Sequence, residues 1–193
     1  DGSTTSSAVP TASGLLGSDT LASASQAFAS RHVLGAGGSS LVVTGQSIQD
    51  GNNGANYQVS STTASGSITP ALLTVAATGL AKVYDGSNAA NVTLAGNSFG
   101  SDQLSYSLGA ASFADRHVGS AKPVSVTGIA VAGADAGNYS LQNTSATTSA
   151  SITPAPLVIA AVSDSKVYDA TTGSTGTPLA SGLLGADSLA SAS

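Results

Sequence analysis

The 193-residue chain contains no cysteine, methionine or tryptophan, and glutamate is missing as well. Absence of cysteine excludes a disulfide framework and leaves the redox compartment open. Without glutamate, and with only five lysines and arginines together, the chain is short of the residues that favour exposed helices. No apolar run reaches the roughly 18 residues that mark a membrane-spanning helix, so no membrane insertion is expected in this stretch. Positive charge is equally scarce: the net charge of −5 comes from ten scattered aspartates. With no basic patch, a nucleic-acid partner is not expected. What remains is Ala, Ser, Thr, Gly, Val and Asn, a composition of strands joined by tight turns.

The order of these residues is repetitive. The segment Ile68-Thr-Pro-Ala-Leu-Leu-Thr-Val-Ala-Ala-Thr-Gly-Leu-Ala-Lys-Val-Tyr-Asp-Gly86 returns as Ile152-Thr-Pro-Ala-Pro-Leu-Val-Ile-Ala-Ala-Val-Ser-Asp-Ser-Lys-Val-Tyr-Asp-Ala170, 84 residues later and without a gap. Asp1-Gly2 stands the same 84 residues before Asp85-Gly86. A period of this size sets the architecture before any other reading. It predicts the C-terminal part of a first module in residues 1–67, a complete module in 68–151, and the N-terminal part of a third in 152–193.

Comparison of the copies predicts strands. Leu73, Val75 and Ala77 match Leu157, Ile159 and Ala161, while Thr74 and Thr78 match Val158 and Val162. One face stays apolar and the other accepts a hydroxyl, as in a half-buried strand. Lys-Val-Tyr-Asp at 82–85 and 166–169 reads as a second short strand. Val92 and Leu94 form an inward pair, and Pro10 and Pro178 in the matching region predict an edge strand. Leu104, Tyr106 and Leu108 alternate. Phe28 and Phe113 open a shared Phe-Ala-(Ser/Asp)-Arg-His-Val element that leads to Leu41–Gly45 and Val124–Gly128. Turn-rich segments at 50–56 and 133–138 deliver an Asn-Tyr pair into strands at Tyr57–Val59 and Tyr139–Leu141. Seven or eight short strands per module predict an all-β fold of small Ig-like sandwich modules in series, with β-grasp-like modules as the alternative.

The combination of Ile-Thr-Pro-Ala, Lys-Val-Tyr-Asp-Gly, Phe-Ala-Asp-Arg-His-Val-Gly and Ala-Gly-Ala-Asp-Ala-Gly-Asn-Tyr-Ser-Leu resembles the YDG repeat and the related MBG repeats. The resemblance covers the whole chain. Such repeats are tandem modules of very large bacterial surface proteins, chiefly filamentous-haemagglutinin-like adhesins exported by two-partner secretion. The resemblance implies an extracellular, surface-tethered setting. Departures occur at Ala170, where the motif has glycine, and at Ser30 and Leu34, where it has Asp and Gly.

Few residues offer chemistry. His32 and His117 lie in equivalent Arg-His-Val contexts, with no local nucleophile or converging ligands, which predicts turn roles. Asp50, Asn52 and Asp135 are the weak calcium candidates, but the pattern lacks the closing glutamate of an EF-hand loop. Lys82 and Lys166, with Asn56 and Asn138, are the residue types of a Lys–Asn isopeptide cross-link; such a bond needs a buried acid, and the expected role is an exposed lysine at a strand end. Asn91, Asn138 and Asn143 open glycosylation sequons. Tyr57, Tyr84, Tyr139 and Tyr168 are expected to anchor a thin core by their rings, with hydroxyls satisfied at its rim.

No catalytic set is present, so the expectation is a non-enzymatic stalk or spacer without a cofactor, its partners being neighbouring modules. Two alternatives stand beside it. One is a binding module for a host glycan or protein. The other is a fibre assembled from like chains head to tail, in which residues 152–170 of one chain complete residues 1–67 of the next by strand addition.

Overall fold

The computed structural model describes residues 1–190. The described part of the protein is all-β, with one short 3₁₀ turn at Ala136–Asn138 and no α-helix. In chain order the strands are β1 (Thr20–Phe28), β2 (Ser39–Gln49), β3 (Ala64–Gly66), β4 (Ala71–Leu73), β5 (Val75–Leu80), β6 (Lys82–Val83), β7 (Asn91–Gly96) and β8 (Ser105–Ser107). They continue as β9 (Ala110–Phe113), β10 (Gly119–Thr127), β11 (Ala130–Ala132), β12 (Tyr139–Leu141), β13 (Ser145–Thr153), β14 (Val158–Ala160) and β15 (Leu179–Ser181).

The chain forms two compact units. The first gathers Asp1–Thr74, Gly96–Tyr106 and Ala130–Gln142, and the second gathers Val75–Ala95, Ser107–Ile129 and the chain from Asn143 onward. Each unit therefore contains residues from two successive sequence copies.

In the first unit, β1, β2 and β3 form an antiparallel sheet, with Phe28 opposite Leu41 and Ser39 opposite Gly66. A second pair is parallel: β12 lies along β4 with Tyr139 opposite Ala71 and Leu141 opposite Leu73. The Gln142 amide closes that ladder on the Leu73 carbonyl at 2.8 Å. Leu73 and Tyr139 are buried here. Beside them the Tyr106 ring passes so close to Gly96 that a Cβ there would stand 2.4 Å from the phenol oxygen. A side chain at this position would have to push the phenol tip and the Leu73 methyl aside.

The second unit holds the larger core. Its four-stranded sheet runs β6-β13-β10-β9, antiparallel except for the β6/β13 edge, where Ile152 lies opposite Lys82. β10 shows why these residues make a strand: Val124 and Val126 are buried while Ser125 between them is exposed, the period of two that a pleat imposes. Val75, Phe113, Ile129 and Ile152 complete the apolar cluster. Each such side chain contributes roughly 1.5–3 kcal/mol by leaving water.

Several expectations need correction. Residues 68–151 carry ten strands, β4 to β13, rather than seven or eight, because the apolar stretch after Pro70 is interrupted at Thr74 and a further short strand, β11, forms at Ala130–Ala132. There the Thr74 amide turns to the Asn97 side chain instead of a neighbouring strand. Phe28 and Phe113 close β1 and β9 rather than opening an element. Side-chain oxygens of Ser30 and Asp115 accept the amides of His32 and His117, folding the following residues into a local turn. Tyr57–Val59 and Pro10 lie outside any strand, whereas Pro178 immediately precedes β15, as a strand-end proline should. The half-buried alternation expected at 157–161 is also not realised, since Leu157, Val158 and Ile159 are all exposed. The end of the Gly182–Ser193 block lies outside the described residues.

Candidate functional site

The Lys-Val-Tyr-Asp motif builds a closed turn. Asp85 Oδ1 accepts the Ser87 amide at 2.9 Å, the Ser87 hydroxyl at 2.9 Å and the Lys82 ammonium at 2.8 Å. Lys82 also donates to the Ser87 carbonyl at 3.0 Å, so one ammonium ties both ends of the turn. Its donation, with that of the Ser87 amide and hydroxyl, holds the Asp85 carboxyl at about 2. The third copy repeats the arrangement: Lys166 donates to Asp169 at 3.0 Å and to the Thr171 carbonyl at 2.7 Å. Here the residue after the aspartate is Ala170, held at φ +59, where Gly86 has φ +80. The turn survives the loss of glycine, with alanine in a backbone region that disfavours a Cβ.

This corrects the picture of an exposed lysine. The Lys82 side chain is only 13% exposed, and its ammonium lies 5.8 Å from the centre of the Phe113 ring. Its donors end on Asp85 and Ser87. The Asn138 side chain is engaged elsewhere, accepting from the Val33 amide and facing His32 and Asp135. Asn56 binds back to Asn52 and Asp50.

A second constellation surrounds Asp102. The Leu-Gly-Ser-Asp, Phe-Gly-Ser-Asp and Leu-Gly-Ala-Asp sequences form the same turn: the Asp19 amide meets the Leu16 carbonyl, Asp102 meets Phe99, and Asp187 meets Leu184, at 3.1, 3.2 and 3.1 Å. Gly17, Gly100 and Gly185 supply the positive φ that each turn requires. The carboxylates then collect partners. Tyr57 donates to Asp19 at 2.6 Å and Tyr139 to Asp102 at 2.7 Å, while each phenol accepts the amide at the head of its turn, Leu16 at 2.9 Å and Phe99 at 2.8 Å. The other oxygen of Asp102 faces Arg31 at 2.6 Å, and that of Asp187 faces Arg116 at 3.1 Å. The Tyr139 hydrogen bond is the leading cause that lowers the Asp102 carboxyl, with Arg31 adding to it and burial opposing both. The phenols of Tyr57 and Tyr139 are raised, by donation to Asp19 in the first and by burial in the second.

Of the calcium candidates, Asp50 and Asp135 have committed oxygens, and Asn52 donates its side-chain nitrogen to Asn56 at 3.0 Å. Asp50 Oδ1 accepts the Asn52 and Gly54 amides at 2.9 and 2.8 Å, and Oδ2 accepts Asn56 at 3.2 Å; these bonds, Gly54 first, lower its carboxyl. Asp135 accepts the Gln103 amide at 2.8 Å and the Asn138 side chain at 3.3 Å. Among the described residues no group of three or more His, Cys, Asp or Glu side chains converges as a metal site. His32 faces Asn138 and Asp135, and His117 is held through its backbone.

Of the sequon asparagines, Asn143 mimics a strand. Its oxygen accepts the Val75 amide and its nitrogen donates to the Val75 carbonyl, both at 2.9 Å. Tyr139 is buried and Tyr84 reaches Asp187 at 2.7 Å, but Tyr168 is exposed. A pocket of about 40 Å³ lies beside Asp102, lined in part by Arg31, Phe99 and Tyr139. That is room for a water rather than a metabolite.

The sequence alone does not single out the arginines and the turn aspartates. Their signal was present, in Arg-His-Val and Gly-x-Asp recurring at constant offsets, but nothing local tied one to the other.

Residues 69–148 match the YDG domain. No curated protein matches the chain, and no solved structure does either. The YDG stretch includes Lys82, Asp85, Asp102, Arg116 and Tyr139, so both constellations draw on YDG residues.

Proposed function

We propose that this chain is a non-catalytic structural spacer from a large bacterial adhesin, with YDG-type modules in series lengthening an extracellular stalk. The observation that carries the reading is the fate of the recurring polar side chains. Lys82, Asp85, Asp19 and Asp102, and their counterparts, end on the protein's own amides, hydroxyls and opposite charges. Side chains used in this way rigidify turns and leave little chemistry for a substrate. Modules in series gain length without enlarging any core. The test is binding of the purified chain to a glycan array and to host matrix proteins. No saturable binding is expected; saturable binding to one ligand overturns the spacer reading in favour of a ligand-binding module.

A second reading, assembly of like chains head to tail, is favoured by the exposed apolar side chains at 157–159, where β14 begins. Leu157 and Ile159 are 46% and 57% exposed, where their counterparts Leu73 and Val75 are buried. Tyr139–Leu141 pairs with Ala71–Leu73 in parallel, and the matching Tyr57–Val59 segment lies in no strand. Light scattering across rising concentration tests it. Growth in mass supports strand addition, and a constant monomer mass removes it.

A further inference from the structure

The two arginine–aspartate pairs follow one rule. Arg31 meets Asp102 and Arg116 meets Asp187, and each pair spans 71 residues, from one sequence copy into the next. The partners are equivalent by sequence: both arginines sit in Arg-His-Val, and both aspartates end the glycine turn.

The surroundings match as well. In the first unit, Gly2 approaches the turn so closely that a Cβ on it would lie 3.3 Å from Phe99 and 4.0 Å from the Arg31 guanidinium. In the second, a Cβ on Gly86 would lie 3.7 Å from the Gly185 amide, and Arg116 donates to the Gly86 carbonyl at 3.4 Å. The aspartate thus enters a recess formed by the Asp-Gly turn and the arginine of the preceding copy. In the second unit the motif tyrosine, Tyr84, also donates to it at 2.7 Å.

We infer that the glycine turn bearing Asp102 or Asp187 is a plug, and that the Asp-Gly turn with Arg31 or Arg116 is the socket that receives the next repeat. Its partner is the following copy of the same module, recognised by one buried or half-buried carboxylate. This deepens the spacer reading and rests on it for its purpose: each pair lies inside one compact unit, so a unit closes only when the next sequence copy supplies its turn, which interlocks successive copies along a stalk. Charge complementarity favours this register, because a turn without the aspartate deprives Arg116 of its carboxylate and leaves Arg31 only Asp135, at 3.6 Å. It also gives the Tyr-Asp-Gly motif a role, with the tyrosine and the glycine both on the socket side.

The test uses the full chain and reads amide hydrogen exchange at Asp187. Arg116→Asp and Asp187→Arg are each expected to raise exchange there by about tenfold, while the Val124 and Val126 amides report that the second unit remains folded. The double variant, with the charges exchanged, is expected to recover most of the protection. Recovery supports the socket. If the double variant exchanges as fast as the worse single one, or if neither single variant changes exchange, the inference fails. Should Asp187→Arg unfold the unit, Asp187→Asn with Arg116→Gln runs the same cycle, and strictly additive effects of the two overturn the pairing. Ligand binding, by contrast, would sink the spacer reading and leave these exchange results untouched.

Discussion

The Tyr139 phenol stands between two groups of one turn, donating to Asp102 at 2.7 Å and accepting the Phe99 amide at 2.8 Å. Tyr139 is 8% exposed, and the Asp102 side chain only 4%. Tyr139→Phe keeps the ring and removes both bonds, leaving a carboxylate and an amide short of a partner in a place poor in water. Such orphaned groups destabilise more than a lost surface bond. A drop of several degrees in the melting midpoint is expected. Because the folded-state phenol is raised, its contribution is complete below the ordinary tyrosine range and is lost as pH climbs through the raised value. The wild type should therefore lose stability on alkaline titration more steeply than Tyr139→Phe.

Asn143 offers a sharper test of a side chain acting as backbone. It satisfies both polar groups of Val75, whose side chain is 1% exposed. Asn143→Ala leaves the Val75 amide and carbonyl without those partners, at about 1–3 kcal/mol for each group that water cannot reach. Chemical denaturation should show a lower midpoint with an unchanged slope. Asn143→Asp keeps an acceptor for the Val75 amide but turns a carboxylate oxygen toward the Val75 and Ser145 carbonyls, so it is expected to lose at least as much as the alanine variant.

Strand faces were readable in the sequence wherever one side was fully covered. Val124 and Val126 against Ser125, and Leu73 and Val75 against Thr74, obey the expected period. The parallel pairs β12/β4 and β13/β6 were not readable, because they join segments 68 to 70 residues apart, and alternation says nothing about a distant partner. The engagement of Lys82 is hidden in the sequence for a related reason: its three acceptors come together only when the turn closes. A coupled change between copies is another such case. Asp115 and Lys122 form an ion pair at 2.5 Å, and the first copy has Ser30 and Ser39 at the matching positions. Both charges disappear together, leaving the buried Ser39 hydroxyl without a partner.

Two glycines four residues apart should respond in opposite ways. Gly133 has φ +122, and a Cβ there would stand 2.2 Å from the Gln103 carbonyl oxygen. The Asp135 amide and carboxylate both fasten to Gln103, so this backbone cannot retreat freely. Gly133→Ala is expected to cost well over 1 kcal/mol. Nothing lies within 4 Å of a Cβ at Gly137, whose φ is not positive. Gly137→Ala should be neutral or slightly stabilising by restricting the unfolded chain. Equal losses at both positions would refute the close approach at Gly133.

Acid should loosen the motif turns before it reaches the apolar core. Asp85 is held at about 2 by Lys82 and Ser87, and Asp164 at about 2 by the Ser174 hydroxyl and the Thr175, Ser165 and Gly176 amides. A free aspartate titrates near 3.9. Both groups are depressed by folding, so their contribution is present above that value and disappears as pH falls through about 2. Between about pH 4 and pH 2 the folded state therefore takes up fewer protons than the unfolded one, and stability falls with pH. Exposure and salt screening keep each effect small. Carboxyl titration by NMR should place Asp85 near 2, and Lys82→Met should move it back toward the ordinary range. An Asp85 midpoint that ignores the lysine would show that the ammonium does not close the turn.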